Sequence, residues 1–295
     1  MTDQTIASIA SVRVPKGGLA HEIRAALVVW EREMIRFRRD PARVISSVIQ
    51  PLLFLFVLGG GLGSLVQQGT AGVDFKTFLF PGVLAMSVLF TAAFAGISMV
   101  WDREFGFLRE MLVAPISTAA ILTGKCLGGA SVATLQSIVV IILAGLVGVP
   151  YDPLMILELL VLLFIMSFMI TALGLVLAAR VKQVQSAMPL VQMIITPLMF
   201  LSGALFPLSN LPGWLSLVTH LNPMTYAVEP VRAVVFARLD IPDAARAVLD
   251  PGIWWGSYQV PVLLQVALVA AAALWTAGFT LYFVRFVPVM FSRRS

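Results

Sequence analysis

Cysteine occurs once in this chain, at Cys126, so no intrachain disulfide can staple it; histidine occurs only at His21 and His220. Two histidines that far apart, expected on opposite sides of the molecule, can assemble neither a zinc pair nor a nucleophile–base triad. Paired acids or a His–Asp cluster at one depth, which intramembrane hydrolysis or acyl transfer would need, are missing as well. Charge is scarce: 12% of residues are Asp, Glu, Lys or Arg and 59% are hydrophobic, with a mean hydropathy of +0.96. Soluble domains carry about a quarter charged residues. A nucleotide cradle is also lacking. The nearest text, Thr123-Gly124-Lys125-Cys126, has Ala119 where the phosphate loop needs glycine and Cys126 where it needs a magnesium-binding hydroxyl. The first 18 residues, Met1 to Gly18, have neither the apolar core nor the cleavage site of a signal peptide and are expected to form a flexible cytoplasmic tail.

What the chain does have is six long apolar runs: Val44 to Leu65, Phe78 to Val100, Leu127 to Val149, Leu154 to Ala179, Ala187 to Phe206 and Val260 to Val284. Each reaches the roughly 20 residues that cross about 30 Å of hydrocarbon as a helix. The runs are apolar on every face, whereas a membrane β-barrel alternates apolar and polar residues in segments of about 10. The fold class is therefore an all-α integral membrane protein with six transmembrane helices, the six-helix domain covering 42–295. Short loops rich in Lys and Arg stay in the cytoplasm. With the N-terminus inside, the outer segments hold only Lys76, Arg232, Arg238 and Arg246 of the 20 basic residues, so both termini are expected to be cytoplasmic. The net charge of +5 and pI of 9.8 then reflect topology, and no nucleic-acid partner is called for.

Three non-spanning parts carry the specific information. From Leu19 to Arg39, Leu19, Ile23, Leu27, Trp30, Met34 and Phe37 draw one apolar stripe, with Arg32, Arg36 and Arg39 on another face, and Asp40-Pro41 ends the segment. This predicts an amphipathic interfacial helix over 19–41, resting on membrane lipid and open to a cytoplasmic partner. Between spans two and three, Trp101 to Pro115 mixes aromatics with charges. Asp102, Arg103, Glu104, Phe105, Gly106, Arg109 and Glu110 are the candidate docking residues of a short cytoplasmic helix; Pro115 stops it and Ser117 is placed to cap the next. The outer stretch 207–259 contains apolar pieces too short to span, with Trp214, Tyr226, Trp254 and Trp255 suited to the headgroup layer, and predicts re-entrant helices half sunk in the outer leaflet.

The order of these parts resembles the ABC-2 family of ATP-binding-cassette exporter permeases. The resemblance runs from about Leu19 to the end. Trp101 to Lys125 carries it, together with Phe200 to Leu215, including Pro207 and Trp214, running into Leu221-Asn222-Pro223-Met224-Thr225-Tyr226 and Arg232. It is strongest to the daunorubicin-resistance and multidrug branch, with polysaccharide and nodulation-factor exporters close behind. It implies a bacterial inner-membrane exporter in which two such subunits pair with two copies of an ABC ATPase. It further implies a coupling helix over Asp102 to Glu110, and a path lined by spans one, two and five.

The residues agree on energy supply. Ion-driven carriers keep an ionisable residue within a span despite a cost of about 2.5–3.5 kcal/mol or more, and none is expected here, Glu158 being assigned to the interface beside Asp152. Energy then comes from a partner, this chain binding no cofactor and the partner using ATP and magnesium. Gly59 and Gly63, and Gly124 and Gly128, have the small-residue spacing of close helix contacts. Gln50, Gln136, Gln192 and Gln265 are expected to bond across helices. A lining of phenylalanine and methionine without buried charge suits a hydrophobic or amphipathic, drug-like cargo, with a glycan or glycolipid as the alternative, and argues against small anions.

Overall fold

The computed structural model describes residues 18–66, 73–107, 111, 116–181, 183–206, 208, 211–239, 241–242, 249, 252–255 and 258–286. It is an all-α membrane bundle. α1 (Leu19–Arg39) precedes a first span built of α2 (Pro41–Leu53), a wide π turn (Phe54–Leu58) and α3 (Gly59–Val66). Next come α4 (Phe75–Glu104), α5 (Thr118–Ile142), α6 (Pro153–Arg180) and α7 (Val184–Phe200). Two short helices follow, α8 (Gly213–Leu221) and α9 (Pro223–Phe236), then a two-residue hairpin of β1 (Trp254–Trp255) and β2 (Tyr258–Gln259), and finally α10 (Val262–Phe286). Five helices are long and apolar enough to cross a membrane, and α7, at 17 residues, is a shorter sixth. The predicted tail lies outside the described residues apart from Gly18.

α4 is the centre of the bundle. Its most apolar window is 78% buried, against 17% for α10 at the periphery, and its side chains meet α6, α5, α7 and α9. The approach is close because small residues face one another. A Cβ on Gly82 of α4 would lie 1.8 Å from the carbonyl oxygen of Ala204, so the turn after α7 can rest directly on the α4 backbone. Gly124 and Gly128 seat α1 on α5, their absent side chains leaving room for Ala26, Val29 and Glu33; nothing lies near Gly63. Capping is local: Asp74, Ser117, Asp152 and Asn222 each accept a backbone N–H at the start of α4, α5, α6 and α9. The Asp152 carboxyl also meets Arg238 at 2.5 Å. The Leu154 N–H first, and then Arg238, hold its pKa below the usual carboxylate value.

Several boundaries differ from the sequence expectation, for physical reasons. The third span runs Thr118–Ile142 rather than 127–149, because Lys125 lies within the helix, 2% exposed and neutralised by carboxylates, instead of marking a membrane edge. A 3-10 turn over Ala144–Val147 and left-handed Gly148 end it. The fifth span stops at Phe200, where the chain turns through left-handed Gly203. The expectation of no ionisable residue within a span is corrected: Asp102 in α4 and Lys125 in α5 are both buried.

The outer region also differs from a half-sunk cap. α9 lies inside the bundle, with Glu229 and Arg232 buried to 2% and 0% exposure. Arg232 donates to the Gly203 carbonyl, meets Glu229 at 3.4 Å and sits 5.2 Å over the Phe78 ring. Satisfied in this way, a guanidinium can stand in an apolar interior.

The Gly82 contact sets an expected outcome. Gly82→Val should lower the melting temperature of the purified protein strongly, because the Ala204 backbone has no flexible side chain to yield. Gly61→Ala, with nothing within 4 Å, should leave it unchanged or raise it slightly, in line with a helix-propensity gain of about 0.5–1 kcal/mol. Equal melting of the two variants would refute the packing.

Candidate transport cleft

The apolar pattern of α1 does not define its protein-facing side. Ala25, Ala26 and Val29 are buried against α5, whereas Leu19, Ile23 and Leu27 of the expected stripe remain exposed. The contact face carries polar ties. Trp30 donates its indole N–H to Ser131 at 3.0 Å, Glu33 meets Lys125 at 3.1 Å, and Arg32 meets Asp102 at 3.3 Å. Arg32 also lies 5.3 Å over the Phe107 ring. Of the other residues proposed for this helix, Phe37 is half-buried and Arg39 is exposed.

These ties converge on one buried carboxylate. Asp102 is 0% exposed and takes Lys125 at 2.5 Å, Arg32 at 3.3 Å and Arg36 at 3.9 Å; Lys125 additionally donates to Ser98 at 3.1 Å. Asp102, a candidate docking residue, is thus turned into the protein. Its neighbours point elsewhere but also inward: Arg103 donates to the Val181 and Ala179 carbonyls at the end of α6, and Glu104 accepts the Val184 N–H that opens α7. Three consecutive side chains bind the end of α4 to α1 and α5, to α6 and to α7. Beyond them the chain turns at left-handed Gly106, leaving Phe105 and Phe107 exposed. α4 runs unbroken to Glu104, so Asp102, Arg103 and Glu104 belong to it, and after the turn at Phe105 and Gly106 the chain is helical again at Phe107 and Met111; Arg109 and Glu110 lie outside the described residues.

Above this charged floor opens a cleft of about 480 Å³, within the range of small-molecule sites. Ser46 and Gln50 of the first span form one wall, Phe90, Thr91, Phe94, Ser98 and Trp101 of α4 a second, and Gln136 of α5 and Met188 of α7 close it; Arg36, from the charged floor, and Asp40 also line it. The lining therefore combines aromatic faces with amides and hydroxyls, and basic and acidic groups are present at one end. The expectation of a lining without charge is corrected there. Gln192 bonds within its own helix to Thr196, and Gln265 bonds back to Val260, so neither bridges helices by these bonds. Among the described residues, no group of three or more metal-ligating side chains occurs.

The outer candidates form a second cluster at the opposite end of α4. Asn222 caps α9 and donates to the Leu198 carbonyl at 2.8 Å, with Pro223 next at the helix start. Tyr226 donates to the His220 carbonyl and accepts the Trp255 indole N–H at 2.8 Å, fastening the hairpin. Trp214 is 70% exposed, and Pro207 lies outside the described residues. Asn222, Tyr226 and Arg232 are thus brought together as structural ties of one region.

Lys125, Glu33 and Ser98 escaped the sequence reading. The available signal was a lone base within one apolar helix and a lone acid at the end of the preceding one.

A helical bundle with a cleft among its first, second, third and fifth spans is the frame of a multi-pass membrane protein. The chain belongs to the ABC-2 type transporter family, whose sequence profile matches residues 24–236. It is similar to the ycf38 transport permease of Porphyra purpurea, 31% identical over 209 residues that cover 69% of this chain and 71% of that one. The ycf38 permease of Cyanophora paradoxa is 29% identical over 71% of this chain and 73% of its own. Nodulation protein J of Rhizobium leguminosarum bv. viciae is 27% identical over 86% of this chain and 95% of its own.

The floor generates an expected outcome. Asp102→Leu should cost about 3–5 kcal/mol, because Lys125 would be left buried without its nearest counter-charge. Adding Lys125→Met should recover much of that loss. A double variant no more stable than the single one in detergent unfolding would show that the pair is not coupled.

Proposed function

We propose that this chain is the membrane subunit of an ATP-driven exporter, two copies of which pair beside two copies of an ABC ATPase in a bacterial inner membrane with both termini cytoplasmic. The observation that carries the reading is the cleft among spans one, two, three and five, whose floor is tied residue by residue to the segment leading into the loop after α4. Motion of that loop is thereby delivered to α1, α6 and α7, the walls and supports of the cleft. The docking surface is revised from the sequence reading: Phe105 and Phe107, exposed beyond the Asp102–Glu104 ties, present the apolar contact, with Arg109 and Glu110 following in the chain. Asp102 positions this surface from behind.

The cargo is a hydrophobic or amphipathic compound, since Phe90, Phe94, Trp101 and Met188 supply adaptable apolar contact. A drug-like molecule satisfies this chemistry. Export of a glycan or glycolipid is the second reading, favoured by the amides and hydroxyls of Ser46, Gln50 and Gln136 in the same wall and by similarity to nodulation protein J over nearly its full length.

The test is co-purification with the ATPase, followed by reconstitution. Amphiphile-stimulated ATP hydrolysis and uphill transport should require both subunits, and uphill movement by the permease alone on an ion gradient would overturn the assignment. Reversing Glu104 and Arg109 to opposite charges should lower ATP-driven export while insertion continues. For orientation, cysteines placed at Ser209 and Ser257 should react with an impermeant reagent from outside intact cells, and one at Ser292 should not.

A further inference from the structure

The charged cluster beside the cleft holds one more cation than carboxylates, and Arg36, the cation in excess, lines the cleft together with Asp40. The cluster contains three cations, Arg32, Arg36 and Lys125, and two carboxylates, Glu33 and Asp102. Asp102 is met at 2.5 Å by Lys125 and at 3.3 Å by Arg32, and Glu33 is met by Lys125, so the pairing is complete without Arg36. Arg36 stands off at 3.9 Å, its side chain 37% exposed, and donates no hydrogen bond among the described residues. A half-buried guanidinium with five N–H donors and no acceptor is poised for an oxyanion. Ser98 supplies a second donor: its oxygen accepts from Lys125 at 3.1 Å, and its hydroxyl hydrogen has no acceptor among the described residues. Both residues line the cleft. Asp40 has contacts of its own.

Polarity falls away along α4 from this point. Phe94 and Phe90 lie one and two turns beyond Ser98 on the same wall, and eight residues of helix rise about 12 Å, enough for a medium-length alkyl chain.

We infer that the cleft binds an amphiphile by an acidic head, a phosphate or carboxylate, held between Arg36 and Ser98, with its apolar tail along Phe94 and Phe90. This rests on reading the cleft as the cargo site and deepens it by assigning a charge sign to the ligand. The acid arrives either on a cargo molecule or on an acidic lipid of the adjoining leaflet, and the chemistry at Arg36 is the same for both. Placing the phosphate against a guanidinium that stands 3.9 Å from its one ion-pair partner, Asp102, and donates it no hydrogen bond favours it over an ammonium head of the same chain length, which Arg36 repels.

The experiment measures equilibrium binding of radiolabelled dodecyl phosphate to the full chain in phosphatidylcholine nanodiscs, without ATPase or nucleotide. Saturable binding should be at least tenfold tighter than that of dodecyl maltoside or dodecyltrimethylammonium. Arg36→Gln should weaken it about tenfold, Ser98→Ala a few-fold, and Arg36→Lys should retain most of it. Arg39→Gln, on the exposed side of the same helix, should leave it unchanged. Equal binding of the three amphiphiles overturns the inference, as does undiminished binding in a folded Arg36→Gln protein; if that variant does not fold, Ser98→Ala decides in the same way. Phosphatidylglycerol that displaces the probe in the wild type assigns the head to a leaflet lipid, and failure to displace assigns it to cargo. Because no transport is measured, Arg36-dependent binding without export would remove the proposed function and leave this site, whereas export without such binding would do the reverse.

Discussion

One buried carboxylate organises the Glu104 end of the molecule. A carboxylate such as Asp102 is costly to bury in an apolar bundle without partners, since taking a charge out of water costs several kcal/mol even after relaxation. Lys125 and Arg32 reach it from two other helices, and each of them in turn requires it. That mutual need makes the position of α1 more than a matter of surface contact. A helix whose buried patch is only Ala25, Ala26 and Val29 has little apolar area to hold it, and the small-residue seat at Gly124 and Gly128 sets distance without setting register. The charges set register, because a one-residue rotation of α1 would carry Glu33 and Arg32 past their partners. Arg103 and Glu104 extend the tie to the α6 carbonyls and the α7 amide, so the floor of the cleft is shared by five elements.

The other end of α4 uses the same device with different parts. Arg232 and Glu229 arrive on a short helix folded into the bundle, and the guanidinium meets a backbone carbonyl at the turn after α7 and the face of Phe78. Phe78 and Asp102 are 24 residues apart on one helix, about 36 Å. Among the described residues, the buried charges lie at two levels, and the stretch between them carries the aromatics and hydroxyls of the cleft. The arrangement leaves α4 without charge from Thr77 to Trp101 while both of its ends are fixed electrostatically.

The bundle was legible because length and apolarity alone demand helices when no water is present to satisfy the backbone. Hence the first, second, fourth and sixth spans fall near their expected places. The third shifted because Lys125 was read as a loop residue by the positive-inside rule, which takes no account of a partner such as Asp102. The depth of the outer region was hidden for a related reason: α9 carries Glu229 and Arg232, and nothing near them in sequence shows that Gly203 and Phe78 stand beside them. Burial of a charge is decided by tertiary partners, and those are distant in sequence. The apolar stripe of α1 was visible as a period, but a period does not say whether lipid or protein covers it; here the small residues Ala25 and Ala26, not the large ones, mark the protein side.

The wide turn at Phe54–Leu58 has an effect on what changes the first span can accept. Such a turn holds one residue more than a regular helical turn does, so it offsets the face presented before it from the face presented after it by roughly 100°. Ser46 and Gln50, which look into the cleft, precede the turn, and Leu55, which is buried, lies within it. Loss of a single residue between positions 54 and 58 would let the helix close to its ordinary pitch and swing the whole preceding half, hydroxyl and amide included, out of the wall. The span is therefore phase-locked: its chemistry can drift by substitution, but its length cannot.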